Sequence, residues 1–194
     1  GDVLSLREIK RLLASCPETP HGLRDRAILE LLYATGIRLS EIVALDIADL
    51  DHGERELLIR AGKGEKARIL PLTRSAYHQV CHYLKQGRER LASTHPDSAQ
   101  ALLLSRLGRR LCKRALANVL ASRGQKAGVK KGVKPHMLRR TFATHLLKGG
   151  ASVRHIQELL GHTDLNTTAL YLKLDRRELR QELHLRHPRE GFEV

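Results

Sequence analysis

"PHMLRRTFATHLL", residues 135–147, is the stretch on which the reading of this chain turns. Pro135 suits the first turn of a helix, where its missing N–H is no loss, and the helix is expected to run to about Lys148. His136 and Arg139 are three apart and so share a face of it. A helix N-terminus favours anions at that point. Arg supplies planar bidentate contacts and His can move a proton near neutral pH, so the pair has the chemistry of a phosphate site. Surface His and Arg pairs are common, however, and the spacing by itself decides nothing.

The charge around this stretch adds weight. The chain has 194 residues and a formal net charge of +14. Residues 98–157 contain no Asp or Glu but hold 14 of the 35 Lys and Arg; the remaining 21 balance 21 acidic residues elsewhere. All the excess charge therefore falls in one segment, a single-sign field that attracts polyanions, with nucleic-acid phosphate the usual one. Solubility alone is the plainer explanation. An anionic membrane surface fits less well, because no basic amphipathic stretch carries large apolar anchors. No apolar run approaches the ~18–20 residues of a spanning helix, and the start, "GDVLSLREIKRLL", reads as amphipathic rather than as a signal peptide. Three scattered cysteines, Cys16, Cys81 and Cys112, make neither a disulfide framework nor a CxxC site. A reducing cytoplasm is the expected setting.

Outward from residue 135 the chain reads as one domain, mainly α with a small antiparallel β-sheet (α+β). Ser5 and Glu8 form a capping box for a first helix. "GLRDRAILELLYATG" (22–36) is a strongly apolar helix closed by Gly36, and a short third helix begins near Ser40. Two apolar runs, 57–59 and 69–72, flank "GKGEK" and predict a β-hairpin. Helical spacing returns from Thr73 to about Leu91; 101–104 reads as a short strand, 112–127 as a basic helix, and "GVKKGVKPH" (128–136) as a Gly/Lys linker that leads into the helix at Pro135. Further helices are expected over 152–160, 166–174 and 176–185.

Five stretches carry candidate chemistry: "ATGIRLSE", "GKGEKAR", "PHMLRRTFATHLL", "LLGHTD" and "TTALYL". Each has an ordinary alternative: an exposed arginine, a lysine-bearing turn, a solvated histidine at a helix end, a packing tyrosine. A separate possibility, His78 and His82 four apart beside Cys81, has the spacing of two metal ligands on one helix face but no second pair to complete a site.

Together and in this order, "YATGIRLSEIVAL", "GKGEKARILPL", "PHMLRRTFATHLL" and "LLGHTDLNTTALY" closely resemble the tyrosine recombinase (phage integrase-like) family, most of all its Xer-type bacterial branch, from about Leu4 to Pro188. The resemblance implies that family's catalytic-domain fold and the following roles. Arg38 is the first catalytic arginine, Lys63 the hairpin lysine, His136 and Arg139 the His-x-x-Arg pair, His162 the histidine of "LGH", and Tyr171 the nucleophile. Lys66 is a weaker candidate for the lysine role and is grouped with the expected DNA contacts: Arg109, Arg110, Lys113, Arg114, Lys130, Lys131, Lys134 and Arg140. The implied chemistry forms a 3′-phosphotyrosyl link and needs no metal, ATP or other cofactor. The implied partners are double-stranded DNA recombination sites and further copies of the chain, assembling as a tetramer on DNA and monomeric without it.

The expected organisation is a single catalytic domain over 1–194, with a core of about 4–175 and a C-terminal helix and tail over 176–194. The separate N-terminal DNA-clamping (core-binding) domain usual in the family is expected to be absent from this chain. Leu179 and Leu183 make a short apolar stripe that must dock on something, since isolated helices of this length are marginal. It folds back on its own domain or, as the resemblance implies, docks on a neighbouring protomer. A non-catalytic DNA-binding accessory protein is the main rival; it explains the basic segment but not the six-residue set.

Overall fold

The computed structural model describes residues 3–60, 67–161 and 176–194. The chain opens with α1 (Leu6–Ala14), started by the expected Ser5–Glu8 capping box. Next comes α2 (Pro20–Thr35), capped by Thr19 with Pro20 in its first turn, two residues before the apolar pattern begins. Almost every residue of α2 from Gly22 onward is buried. A helix that is apolar all round belongs in the middle of a fold, and α2 takes that place. Its end is the αL residue Gly36 (φ +62°), after which α3 (Leu39–Ala44) begins.

The three-stranded antiparallel sheet has the order β1 (Leu50–Asp51), β2 (Glu56–Ile59), β3 (Arg68–Pro71). The expected hairpin is β2–β3, in register with Leu57 opposite Leu70. Leu57 and Ile59 face the core while Leu58 faces out, the period-two pattern of a half-buried strand. The run from Thr73 is α4 (Arg74–His82), capped by Thr73, continued by a wide turn over Tyr83–Arg88 and a last turn, α5 (Glu89–Leu91). After α6 (Asp97–Gln100), residues 101–104 are not the strand expected of them. They make one isolated bridge at each end, Ala101 with Asp46 and Leu104 with Arg110, and are buried among helices.

Three helices follow: α7 (Lys113–Lys126), α8 (Pro135–Lys148) and α9 (Val153–Leu160). The last, α10 (Arg176–Arg186), buries Leu179 and Leu183 against β3 and α9 of its own domain, so in this chain the stripe takes the first of its two courses. The expected helix over 166–174 lies outside the described residues.

Both α4 and α8 pack on α2, and α1 packs on α2 and α7. The charged residues buried on α2, Arg24, Asp25 and Glu30, are all paired, as buried charges must be. Asp25 accepts from Arg24 and from Arg123 of α7. Glu30 accepts from Arg26 and from Arg189 of the C-terminal segment. Among the described residues no helix is long and apolar enough to cross a membrane.

Candidate functional site

Two guanidinium groups converge where α2, α8 and α9 meet. The close approach starts at Gly36: a Cβ there would stand 2.5 Å from the Phe142 ring and 2.8 Å from Leu160. Only glycine permits both this contact and the positive φ. Phe142, fully buried, thus draws α8 onto the end of α2. Arg139, three residues before Phe142, then reaches the Gly36 carbonyl through Nη1 at 2.5 Å and the Leu160 carbonyl through Nη2 at 2.8 Å. From the other side Arg38 donates through Nη2 to the Gly161 carbonyl at 3.3 Å. The C-terminal end of α9 has its partial negative charge facing both cations.

Arg38 also begins α3, and its backbone N–H donates to Glu41 Oε2 at 2.9 Å. Ser40, expected near the start of α3, is not its cap; Glu41 closes the turn instead. The Glu41 carboxylate meets Arg68 of β3 in a two-pronged pair, Nη1 to Oε1 at 2.6 Å and Nη2 to Oε2 at 2.8 Å. Burial works to raise the Glu41 pKa, but the Arg68 hydrogen bonds and then the Arg38 backbone bond outweigh it and hold the carboxyl below its ordinary value. Neither Glu41 nor Arg68 was singled out from the sequence. The only signal was the three-residue spacing of Arg38 and Glu41; the partnership with Arg68, 27 residues on, leaves none.

His136 stands exposed on the first turn of α8, one turn before Arg139. Lys63 and Lys66, and His162 and Tyr171, lie outside the described residues. The described chain nonetheless brings the edges of both segments to the arginines. Arg68 begins the strand that follows 61–66, and Gly161 is the residue before His162.

The expected DNA contacts divide in two. Arg109, Lys113, Arg114, Lys130, Lys134 and Arg140 are exposed. Arg110 is half-buried and occupied within the fold, donating to Asp46 Oδ1 at 2.5 Å and to the carbonyls of Val43 and Leu45. Its bond, with that of Arg60, lowers the Asp46 pKa. Lys131 is exposed but bonds the Val3 carbonyl at 2.6 Å and pairs with Glu8 at 3.1 Å, tying α1 down. Of the histidines with ligand-like spacing, His82 faces Glu18 and His78 packs edge-on to Tyr77.

Residues 2–178 match the phage integrase family. The tyrosine recombinase XerD of Mycobacterium tuberculosis is 47% identical over 170 residues, which cover 88% of this chain and 54% of that protein. XerD of Oceanobacillus iheyensis is 39% identical, covering 97% of this chain and 63% of its own length. The chain thus spans a little over half to under two thirds of these relatives. Among solved structures, the XerA recombinase superposes with a TM-score of 0.75 at 31% identity, over 99% of this chain and 66% of that one. The XerH site-specific recombinase bound to its difH substrate gives 0.69 at 27% identity, over 86% of this chain and 49% of that one.

Proposed function

The chain belongs to the phage integrase family, and we propose on that footing that it is the catalytic domain of a site-specific recombinase that cuts and rejoins DNA through a 3′-phosphotyrosyl intermediate. The phenolic oxygen of Tyr171 attacks the scissile phosphorus. The bond from phosphorus to the 5′ oxygen breaks, and the phosphate is left on the tyrosine. A phenol is a poor nucleophile until its proton is removed (free pKa about 10), and His136 is assigned as the base. Lys63 is assigned to protonate the leaving 5′ oxygen. The transition state gathers charge on the non-bridging oxygens, which Arg38, Arg139 and His162 stabilise. Attack by a 5′ hydroxyl of another strand reverses the step and releases the tyrosine. The phosphodiester energy is conserved in the link, so no nucleotide is spent.

One observation carries this reading: Arg38 and Arg139, 101 positions apart in sequence, aim their guanidinium groups at the carbonyls of Leu160 and Gly161, where the chain leads into His162. Backbone carbonyls hold both cations beside the turn that leads into His162. The XerH relative is seen bound to its difH substrate. We extend the same to this chain: duplex recombination sites as partners, a tetramer on DNA, a monomer without it, and a cytoplasmic setting. The exposed cations Arg109, Lys113, Arg114, Lys130, Lys134 and Arg140 then hold the duplex backbone, which positions the protein without reading sequence.

Arg139→Ala tests the assignment. On a nicked inverted-repeat duplex enriched from a randomised pool by the wild-type protein, covalent capture should slow by about a hundredfold or more, the cost of losing one preorganised donor. DNA affinity should change little beside that. Capture at the wild-type rate would remove Arg139 from the chemistry.

A further inference from the structure

The segment 61–66 is held at both of its roots by ion pairs to α3 and the turn that follows it. After the segment, Arg68 of β3 grips Glu41. Before it stands Arg60, the residue next to Ile59, whose pairing with Arg68 is the last of the ladder among the described residues. Arg60 reaches Asp46 Oδ2 at 2.8 Å and Asp49 Oδ1 at 2.7 Å through one nitrogen, Nη2. We propose that Arg60 is a positioning residue for protonation of the leaving oxygen: by tying the end of β2 to Asp46 and Asp49 it limits where Lys63, three residues on, can stand. This goes with the recombinase reading, in which Lys63 is the acid, and rests on it.

An ordinary surface pair contributes little, because its partners move freely and water screens them. Arg60 is half-exposed, and what sets it apart is its two acceptors. Asp49 is 4% exposed, and its other oxygen, Oδ2, accepts the Asp46 N–H at 2.8 Å. Asp46 is held from another side by Arg110, which donates to Oδ1 at 2.5 Å and is itself fixed on the carbonyls of Val43 and Leu45. The Arg110 bond first, and the Arg60 bond with it, hold the Asp46 carboxyl below its ordinary pKa, so it stays charged near neutral pH. Both carboxylates are therefore fixed posts, and a guanidinium set between them fixes the chain that carries it.

Three residues of chain span at most ~10 Å, so holding Arg60 bounds the reach of Lys63 whatever path lies between them. A general acid must come within hydrogen-bond reach of the atom it protonates. A misplacement of ~1 Å can cost on the order of a hundredfold in rate. The clamp thus acts on one event of the reaction, the arrival of a proton at the leaving group.

That event can be isolated by changing the leaving atom. As the Tyr171 oxygen bonds to phosphorus, the bond from phosphorus to the 5′ oxygen breaks, its electron pair goes to that oxygen, and the Lys63 ammonium supplies the proton. With sulfur in place of the 5′ oxygen, the pair goes to a thiolate, which leaves unprotonated because a thiol is far more acidic than an alcohol (free thiol pKa about 8.5). Loss of the acid, or of its placement, should be felt on the oxygen duplex alone. A residue that only braces the fold or helps to hold DNA would slow both.

The test measures single-turnover covalent capture by the wild type, Arg60→Gln, Arg60→Lys and Lys63→Ala on the enriched nicked duplex, with oxygen and then sulfur at the bridging 5′ position of the mapped cut. Arg60→Gln leaves Asp46 on Arg110 and Asp49 on the Asp46 N–H, so both acids keep a partner. It should slow capture on the oxygen duplex by about tenfold or more, a fraction of the roughly hundred- to ten-thousandfold that a general acid supplies. On the sulfur duplex it should run close to the wild-type rate. Lys63→Ala should show the same pattern with a larger loss. Arg60→Lys, which keeps a cation between the two acids, should lose less on oxygen and nothing on sulfur, and it decides the matter should the glutamine variant not hold its fold. Equal slowing on both duplexes, or none on the oxygen duplex, overturns the inference, while a Lys63→Ala that is slowed and then rescued leaves the recombinase reading standing. A Lys63→Ala that sulfur does not rescue makes another group the acid and overturns the inference with that assignment. A wild type that captures neither duplex removes the recombinase reading and the inference together.

Discussion

His187 is strongly shaped by its surroundings. It is fully enclosed between Tyr33 and Phe142. Its Nε2 donates to the Tyr33 carbonyl at 2.9 Å and its Nδ1 accepts from the Arg189 N–H at 3.1 Å, so the neutral tautomer is fixed. Burial pushes its pKa down to about 4, with only the Tyr33 carbonyl opposing and with His145 and Arg189 adding to the fall. The unfolded chain takes up this proton near 6.5 and the folded chain only near 4. Stability is therefore unaffected above 6.5 and declines as pH falls from there towards 4. The decline from this one group is about 3 kcal/mol. His187→Gln keeps a donor and an acceptor but cannot titrate. Urea unfolding at a series of pH values should show the wild type losing about that much more than the variant across this window; parallel curves would mean that His187 is not held neutral. Tyr33 meets the same enclosure from the other side, with its hydroxyl on His145 at 2.9 Å. Burial accordingly raises the Tyr33 pKa and lowers that of His145.

At the scale of elements, the most deeply buried carboxylate that ties down α10 is on the sheet. Glu56, on β2 and 2% exposed, accepts from Arg176 and from Arg180, one turn apart on α10. The same face of the helix buries Leu179 and Leu183. Glu56→Gln leaves Arg176 facing an uncharged amide and leaves Arg180 with Glu54 alone. Arg176 is half-exposed, so the cost is about 1–2 kcal/mol, below that of a fully buried pair. Hydrogen exchange should show α10 amides losing roughly tenfold in protection while α2 and α8 keep theirs. Uniform loss across all three would show that α10 is not a separately held element.

The elements that announce themselves in the sequence are those with chemistry at their ends. The Ser5–Glu8 box, Gly36 and Pro135 each mark a boundary that the structure has. The two-residue β1 is too short to carry a pattern. Residues 101–104 read as a strand because a short, wholly apolar run has no period to separate a strand from a buried connection. In the site, the arginines stand out because they lie inside recognisable phrases. Glu41 and Arg68 look like ordinary surface charges, and their pairing exists only once α3 and β3 have met.

At the scale of the whole molecule, the excess positive charge is partly spent inside the fold. In the acid-free segment Arg110 is taken up by Asp46, Arg123 by Asp25 and the Ser15 carbonyl, and Arg139 by the carbonyls of Gly36 and Leu160. The exposed remainder forms the field that a duplex would meet, and Arg139, together with Arg38, is the part proposed to face the scissile phosphate. A basic DNA-binding protein needs only the first of these features. A recombinase needs both, together with a nucleophile, and Tyr171 is the residue proposed for it. The decisive measurement is therefore covalent capture by the wild type and by Tyr171→Phe, side by side on the same enriched nicked duplex, with DNA binding measured for both. The account predicts equal binding, an SDS-resistant protein–DNA adduct for the wild type that maps to Tyr171, and none for the variant. An adduct formed by Tyr171→Phe, or a wild-type adduct mapping to another residue, would contradict it.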